Sequence, residues 1–307
     1  YDSFAALLEG FDTVQNTSHT YPLTFLPQGR QFAWMRPWLA THRNATNYLP
    51  VTLHPIHQQT MADEDAIARA AYFDLHDWLP HLTSEAPTHF DALLGDPVDA
   101  SQGDWWHRME AIRQGETHRS YLKIPVPRTS SQEEWRALFT LLERMQIHGL
   151  SITAPHKRTI CELPWTAPAD GASAHLEAAN TLAYDQSTRT WLYCDTDHHG
   201  LIATLEHLTQ EAGIEPGSII LIGQGGVSPA ITSAIEASTG WSLVHHASAR
   251  EGWTEETPSH ATLVINAAGN LDTPYHNPPS CTVWIDLHYR DVRVPPSSCT
   301  LHLNGDI

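Results

Sequence analysis

The chain has 307 residues, a mass of 34.3 kDa, 41% hydrophobic and 17% charged residues, and a formal net charge of −18. That length suggests about two domains at ~150 residues each, and the composition excludes collagen, coiled coil and a wholly disordered chain. So acidic a surface repels phosphate backbones and anionic lipids, which argues against nucleic-acid or membrane partners and leaves room for a local basic pocket that takes a small phosphorylated ligand.

Lysine is scarce: Lys123 and Lys157 are the only two in the chain. Cys161, Cys194, Cys281 and Cys299 show no CxxC spacing and read as reduced thiols of a cytoplasmic protein. No apolar run of about 18 residues and no signal peptide is visible. The first residue is Tyr1 rather than Met, so the expectation is a piece of something longer.

Residues 1–88 are rich in His, Pro, Trp and Thr and read as an N-terminal appendage. One helix is expected there, capped by Thr60 with Asp63 and running towards Trp78 before Pro80. From Phe90 the pattern alternates between strand and helix. Short apolar runs at Ala92–Leu94, Tyr121–Ile124, Leu150–Ile152 and Thr181–Tyr184 predict strands. Ser131 and Glu134 form a capping-box pattern opening a helix whose apolar positions are Trp135, Leu138, Phe139, Leu142 and Met145; Gly149 is expected to close the turn after it.

A second alternating block begins near His198. A helix through Leu201, Leu205 and Leu208 is expected to end at Gly213. Strands follow at Ile219–Ile222, Trp241–His245, Thr262–Ile265 and Thr282–Ile285. The fold class is therefore α/β, with two domains, the second doubly wound as in Rossmann nucleotide-binding domains.

Directly after one of these strands comes Gly223-Gln224-Gly225-Gly226-Val227-Ser228-Pro229. The glycines permit a tight turn and close backbone approach to a pyrophosphate, and the helix behind offers unpaired N–H groups. About 20 residues on, where a carboxylate would hold the ribose of NAD, stands Val244-His245-His246-Ala247-Ser248-Ala249-Arg250. Arg250 is the candidate partner for a 2′-phosphate, which favours NADP; a solvated surface arginine is the alternative. The histidine pairs at 54 and 57, 198 and 199, and 245 and 246 lack zinc-hydrolase spacing, so no metal is expected.

Ser151-Ile152-Thr153-Ala154-Pro155-His156-Lys157, Ala178-Ala179-Asn180-Thr181, Asp195-Thr196-Asp197-His198-His199-Gly200 and the glycine turn occur in that order, preceded by Leu94-Gly95-Asp96-Pro97-Val98 with Ser101 and His107. Together they resemble shikimate dehydrogenase, over about residues 91–307. The resemblance implies a two-domain architecture: substrate-binding catalytic domain at 89–197, NADP-binding domain at 198–290, and a return segment at 291–307 leading back to the first. It implies NADP-dependent reduction of 3-dehydroshikimate to shikimate, in aromatic amino-acid biosynthesis. Lys157 and Asp197 match the catalytic pair. Ser101, Thr153 and Asn180 match substrate contacts. Gly223, Gly225 and Gly226 match the turn over the pyrophosphate, and Asn266 with Ala267 matches a segment beside the nicotinamide.

Departures from the family pattern are specific. Gly103 stands for a second serine, Asp104 for a proline, Asp195 and Ser151 for asparagines, and His246-Ala247-Ser248 for the Asn-Arg-Thr that clamps the 2′-phosphate. Two other readings stay open: a quinate-type dehydrogenase, and a non-catalytic ligand-sensing descendant. Leu26-Pro27-Gln28-Gly29, Arg36 and Asn47-Tyr48 are similar to the end of a type I dehydroquinate dehydratase. That resemblance implies a fusion of the two enzymes, although no lysine before Lys123 is present to form its Schiff base.

Overall fold

The computed structural model describes residues 3–16, 30–32, 34–35, 38–39, 89–98, 101, 103–116, 118–171, 173–175, 177–248, 254–268, 279–287 and 299–304. The expected helix after Thr60, the 26–48 motifs and Arg250 lie outside these residues. Two compact units emerge. One holds 1–157, 163–167 and 181–192; the other holds 158–162, 168–180 and 193–307. The chain thus passes between units several times before residue 193, where the sequence suggested a boundary at 197 and a return at 291.

The first unit is built on a six-stranded sheet of β1 (His89–Gly95), β2 (Arg119–Pro125), β3 (Gly149–Ile152), β4 (Thr166–Pro168), β5 (Thr181–Asp185) and β6 (Thr190–Cys194). Their order is β2-β1-β3-β5-β6-β4. β1 runs parallel to both β2 and β3, so each link must cross over, and helices at Gly103–Arg113 and Gln132–Arg144 supply the crossovers. β3 pairs antiparallel with β5.

With α1 at Phe4–Asn16, the crossover helices are α2 and α3. Ser131 caps α3 by accepting the Glu134 N–H. Glu134 does not complete the box locally; its carboxylate accepts the Phe4 N–H of α1 at 2.6 Å. Asp12 and Arg144 form a second tie between the two helices, and Trp38 Nε1 donates to the Met145 carbonyl at 2.9 Å. α1 and Trp38 are therefore packed against α3 and its C-cap. Gly149 does not close α3: the left-handed residue is Gln146, at φ 58. Gly149 opens β3 because any Cβ there would meet Asp91 Oδ1 at 2.3 Å.

The second unit carries α4 (Lys157–Glu162), whose first residue belongs to the other unit, and α5 (Thr196–Gln210). Its sheet comprises β7 (Ser218–Ile222), β8 (Ser242–Ala247), β9 (His260–Asn266), β10 (Ser280–Asp286) and β11 (Cys299–Asn304), with α6 (Ser228–Ala237) after β7. All pairings are parallel, in the order β11-β10-β9-β7-β8. Alternate residues of β7 face opposite cores: Ile219 and Leu221 pack with Leu201, Leu205 and Ile231, while Ile220 and Ile222 pack with Val264 and Trp284. A strand buried on both faces reads as the continuous apolar run seen in the sequence.

The return of 291–307 to the first domain requires correction for its described part. Residues 299–304 form β11, an edge strand of the second sheet, paired with β10 from Cys281↔Cys299 to Asp286↔Asn304. Thr300, His302 and Asn304 alternate with Leu301 and Leu303, which pack on the core; that period of two is a strand signature.

Candidate active site

In the first unit, the strand order reverses between β1 and β3, the place where open α/β sheets leave a crevice beyond the strand ends. Gly95 brings the two ends together: a Cβ there would lie 2.3 Å from Thr153 Cγ2 and 3.1 Å from the Ala154 oxygen. Asp96 N–H bonds to the Ala154 carbonyl at 3.0 Å and Thr153 N–H to the Leu94 carbonyl at 2.9 Å. His156 extends this tie to β2, with Nε2 2.7 Å from the Val126 carbonyl. The ring is buried, and burial lowers its pKa below 6.5. It is therefore neutral at pH 7 and donates. Lys157 comes next and opens α4, so a buried neighbour sets where the lysine leaves the turn.

Ser101 stands beyond β1. Its Oγ accepts the Gly103 N–H at 3.2 Å, its own N–H donates to Val98 at 3.0 Å, and its carbonyl accepts from Lys123 Nζ at 3.2 Å. Lys123 also pairs with Asp104 at 3.1 Å. Tyr121, on the same strand as Lys123, stacks on His107 at 4.2 Å between ring centroids and hydrogen-bonds Ser151. Burial pushes its phenol well above the ordinary range. The sequence motifs pointed to Ser101 but not to Lys123, Asp104 or Tyr121 as its surroundings.

In the second unit the structure brings Asn180 and Asp197 together. Asn180 Nδ2 donates to Asp197 Oδ1 at 2.8 Å, while its Oδ1 accepts the Thr196 N–H at 2.9 Å. Asp195, 3% exposed, is the N-cap of α5, accepting the Asp197 N–H at 2.9 Å. Asp197 therefore sits in the first turn of α5, where the helix dipole favours a carboxylate. Four residues of two motifs form one hydrogen-bonded clasp.

Gly223 and Asn266 lie at the ends of β7 and β9, the strands flanking the order reversal of the second sheet. Gly223 has φ 106, and a Cβ there would fall 2.7 Å from Ala268 N. Only glycine fits. Its carbonyl accepts from Ser228 Oγ at 2.9 Å and His246 Nε2 at 2.6 Å. Gly225, by contrast, has nothing within 4 Å of an added Cβ. Asn266 is 1% exposed; its amide donates to Asp286 Oδ1 at 3.2 Å and accepts the Ala268 N–H at 3.2 Å. It braces the turn that packs on Gly223.

Eighty-eight per cent of the shikimate dehydrogenase of Aquifex aeolicus superimposes on 73% of this chain, with a TM-score of 0.58 at 17% identity. The fold is that of shikimate dehydrogenases. The quinate dehydrogenase of Corynebacterium glutamicum, solved with NAD, shares it at a TM-score of 0.53 and 20% identity, over 71% of this chain and 88% of that one. Among curated proteins, a shikimate dehydrogenase (NADP(+)) of Methanothermobacter thermautotrophicus is 28% identical over 143 residues, 47% of this chain and 46% of its own length. One from Methanosphaera stadtmanae is 31% identical over 145 residues, 47% of each. The chain spans about half the length of the curated relatives it matches. No protein-family profile matches it.

Proposed function

We propose that the chain is an NADP-dependent dehydrogenase that interconverts 3-dehydroshikimate and shikimate. The observation that carries this reading is the clasp of Asn180 on Asp197 at the start of α5: two residues matched to different motifs and different roles meet at hydrogen-bond distance. The relatives named shikimate dehydrogenase (NADP(+)) support it.

Lys157 is the acid–base group: its ammonium gives a proton to the substrate carbonyl oxygen on reduction, and its amine takes the proton back on oxidation. Asp197, oriented by Asn180, fixes the substrate hydroxyl. Ser101 and Thr153 supply further hydroxyl contacts. The glycine turn fits a dinucleotide: Gly223 gives the tight bend, and Gly225 leaves open space at the N-terminus of α6, where N–H groups meet a pyrophosphate. A nicotinamide dinucleotide held by this turn would supply the hydride for reduction and take it up on oxidation. His246, anchored on Gly223, and Arg250 are the groups for the 2′-phosphate. Residues 1–88 are read as the tail of a dehydroquinate dehydratase barrel, in a cytoplasmic fusion of successive biosynthetic steps.

Quinate is the second substrate reading, because Gly103 offers no hydroxyl beside Ser101. Absorbance of the reduced nicotinamide, followed with shikimate or quinate and NADP or NAD, decides. The expected result is turnover of shikimate with NADP, and a loss on the order of 10²–10⁴-fold in Lys157→Ala. Unchanged turnover in that variant overturns the assignment.

A further inference from the structure

Ser101 is held from three sides. Its N–H is bound by Val98, its hydroxyl oxygen accepts the Gly103 N–H at 3.2 Å, and its carbonyl accepts from Lys123 Nζ at 3.2 Å. The hydroxyl oxygen spends one lone pair on Gly103, which leaves the hydroxyl its own proton to donate. Lys123 reaches this turn from the middle of β2, with 18% of its side chain exposed. Its charge is matched by Asp104, 10% exposed, at 3.1 Å. Asp104 in turn belongs to the first turn of α2, where a carboxylate is favoured by the helix dipole. Two departures from the family pattern, glycine at 103 and aspartate at 104, thus surround the single serine that remains.

We propose that Lys123 is a positioning residue for the substrate: through its bond to the Ser101 carbonyl, and locked by Asp104, it holds the Ser101 hydroxyl in the orientation that meets the substrate. This rests on the reading of Ser101 as a substrate contact. A lysine stem has several rotatable bonds and a compact charge; alone it would not hold a turn. The Asp104 carboxylate removes that freedom, and the helix behind it is the fixed point. A proline would restrict the same turn through its fixed φ; here an ion pair between β2 and α2 does so.

Removing Lys123 alone leaves a buried carboxylate without its cation, so the test uses Lys123→Met together with Asp104→Asn, and Lys123→Arg as the charge-retaining variant. Steady-state kinetics should show the shikimate KM of the double variant raised about tenfold, with kcat within about threefold and the NADP KM unchanged. Lys123→Arg should recover most of the loss. Amide hydrogen exchange at Gly103, whose N–H is bound by Ser101 Oγ, should accelerate about tenfold in the double variant. An unaltered shikimate KM in a folded double variant overturns the proposal, as does a joint fall of kcat and both affinities. Gly103 exchange equal to wild type overturns it without reference to substrate. A wild-type chain that neither binds nor oxidises shikimate overturns the dehydrogenase reading instead, and the exchange measurement still decides whether Lys123 holds the turn.

Discussion

Gly223 and Gly225 stand two residues apart and do different work. Gly223 is locked by its left-handed φ of 106 and by Ala268 N at 2.7 Å from any Cβ. Gly223→Ala should cost about 1–3 kcal/mol from backbone strain alone, and more from the clash; urea unfolding measures it. Gly225→Ala meets no protein atom within 4 Å, so its urea midpoint should stay at the wild-type value. A Cβ there intrudes instead on the space assigned to the cofactor, and calorimetric titration should show weaker NADP binding. Equal NADP affinity in both proteins would move the pyrophosphate away from this turn. The sequence showed these glycines as one motif. It could not show that one serves the fold and the other the empty space, because that difference depends on Ala268, a residue 45 positions from Gly223 in the chain.

Secondary elements follow local rules well and long-range ones only through the structure. The Ser131 cap was legible because it joins residues three apart. The Glu134 bond to Phe4 was not, because 130 residues separate its partners. Every apolar run read as a strand is one, whereas β4, β6 and β11 escaped notice. β4 has only three residues and β11 is broken by Thr300, His302 and Asn304 on alternate positions, whereas the apolar run of β6 at 191–194 was passed over. Of the candidate residues, Lys157, Asn180 and Asp197 were legible as motifs, while the Asp195 cap and the His156 anchor needed burial to be seen. The docking of α1 leads to an outcome at this scale. Leu7 is fully buried, so Leu7→Ala should destabilise the first unit by about 2–5 kcal/mol. A shift in the unfolding midpoint below about 0.5 kcal/mol would mean that α1 contributes nothing to that core.

At the scale of the whole molecule, stability depends on proton uptake as well as packing. His148 and His156 both have pKa values below 6.5, with desolvation as the main cause. Below 6.5 the unfolded chain binds protons that these folded side chains refuse. Their stabilising contribution is complete above 6.5 and is lost as pH falls through the lowered folded values. Urea midpoints should therefore decline between about pH 7 and pH 5.5. His156→Gln keeps a donor for the Val126 carbonyl without titrating, so its decline should be shallower. An identical decline would exclude His156 as a source. The net charge of −18 adds a background repulsion that weakens as carboxylates protonate at lower pH, and the comparison between variants cancels it.

The two lysines make the molecule its own labelled specimen. One is enclosed between β2 and α2; the other opens α4. Reductive methylation with an isotopic carbon source would place a reporter on each ε-amine and, the α-amino group apart, on nothing else. The resulting spectrum would contain a sheltered ammonium and a partly exposed one, separable by their rates of reaction. Substrate entering the crevice would be read out directly by the atoms proposed to meet and to hold it, with no engineered tag and no background from the surface.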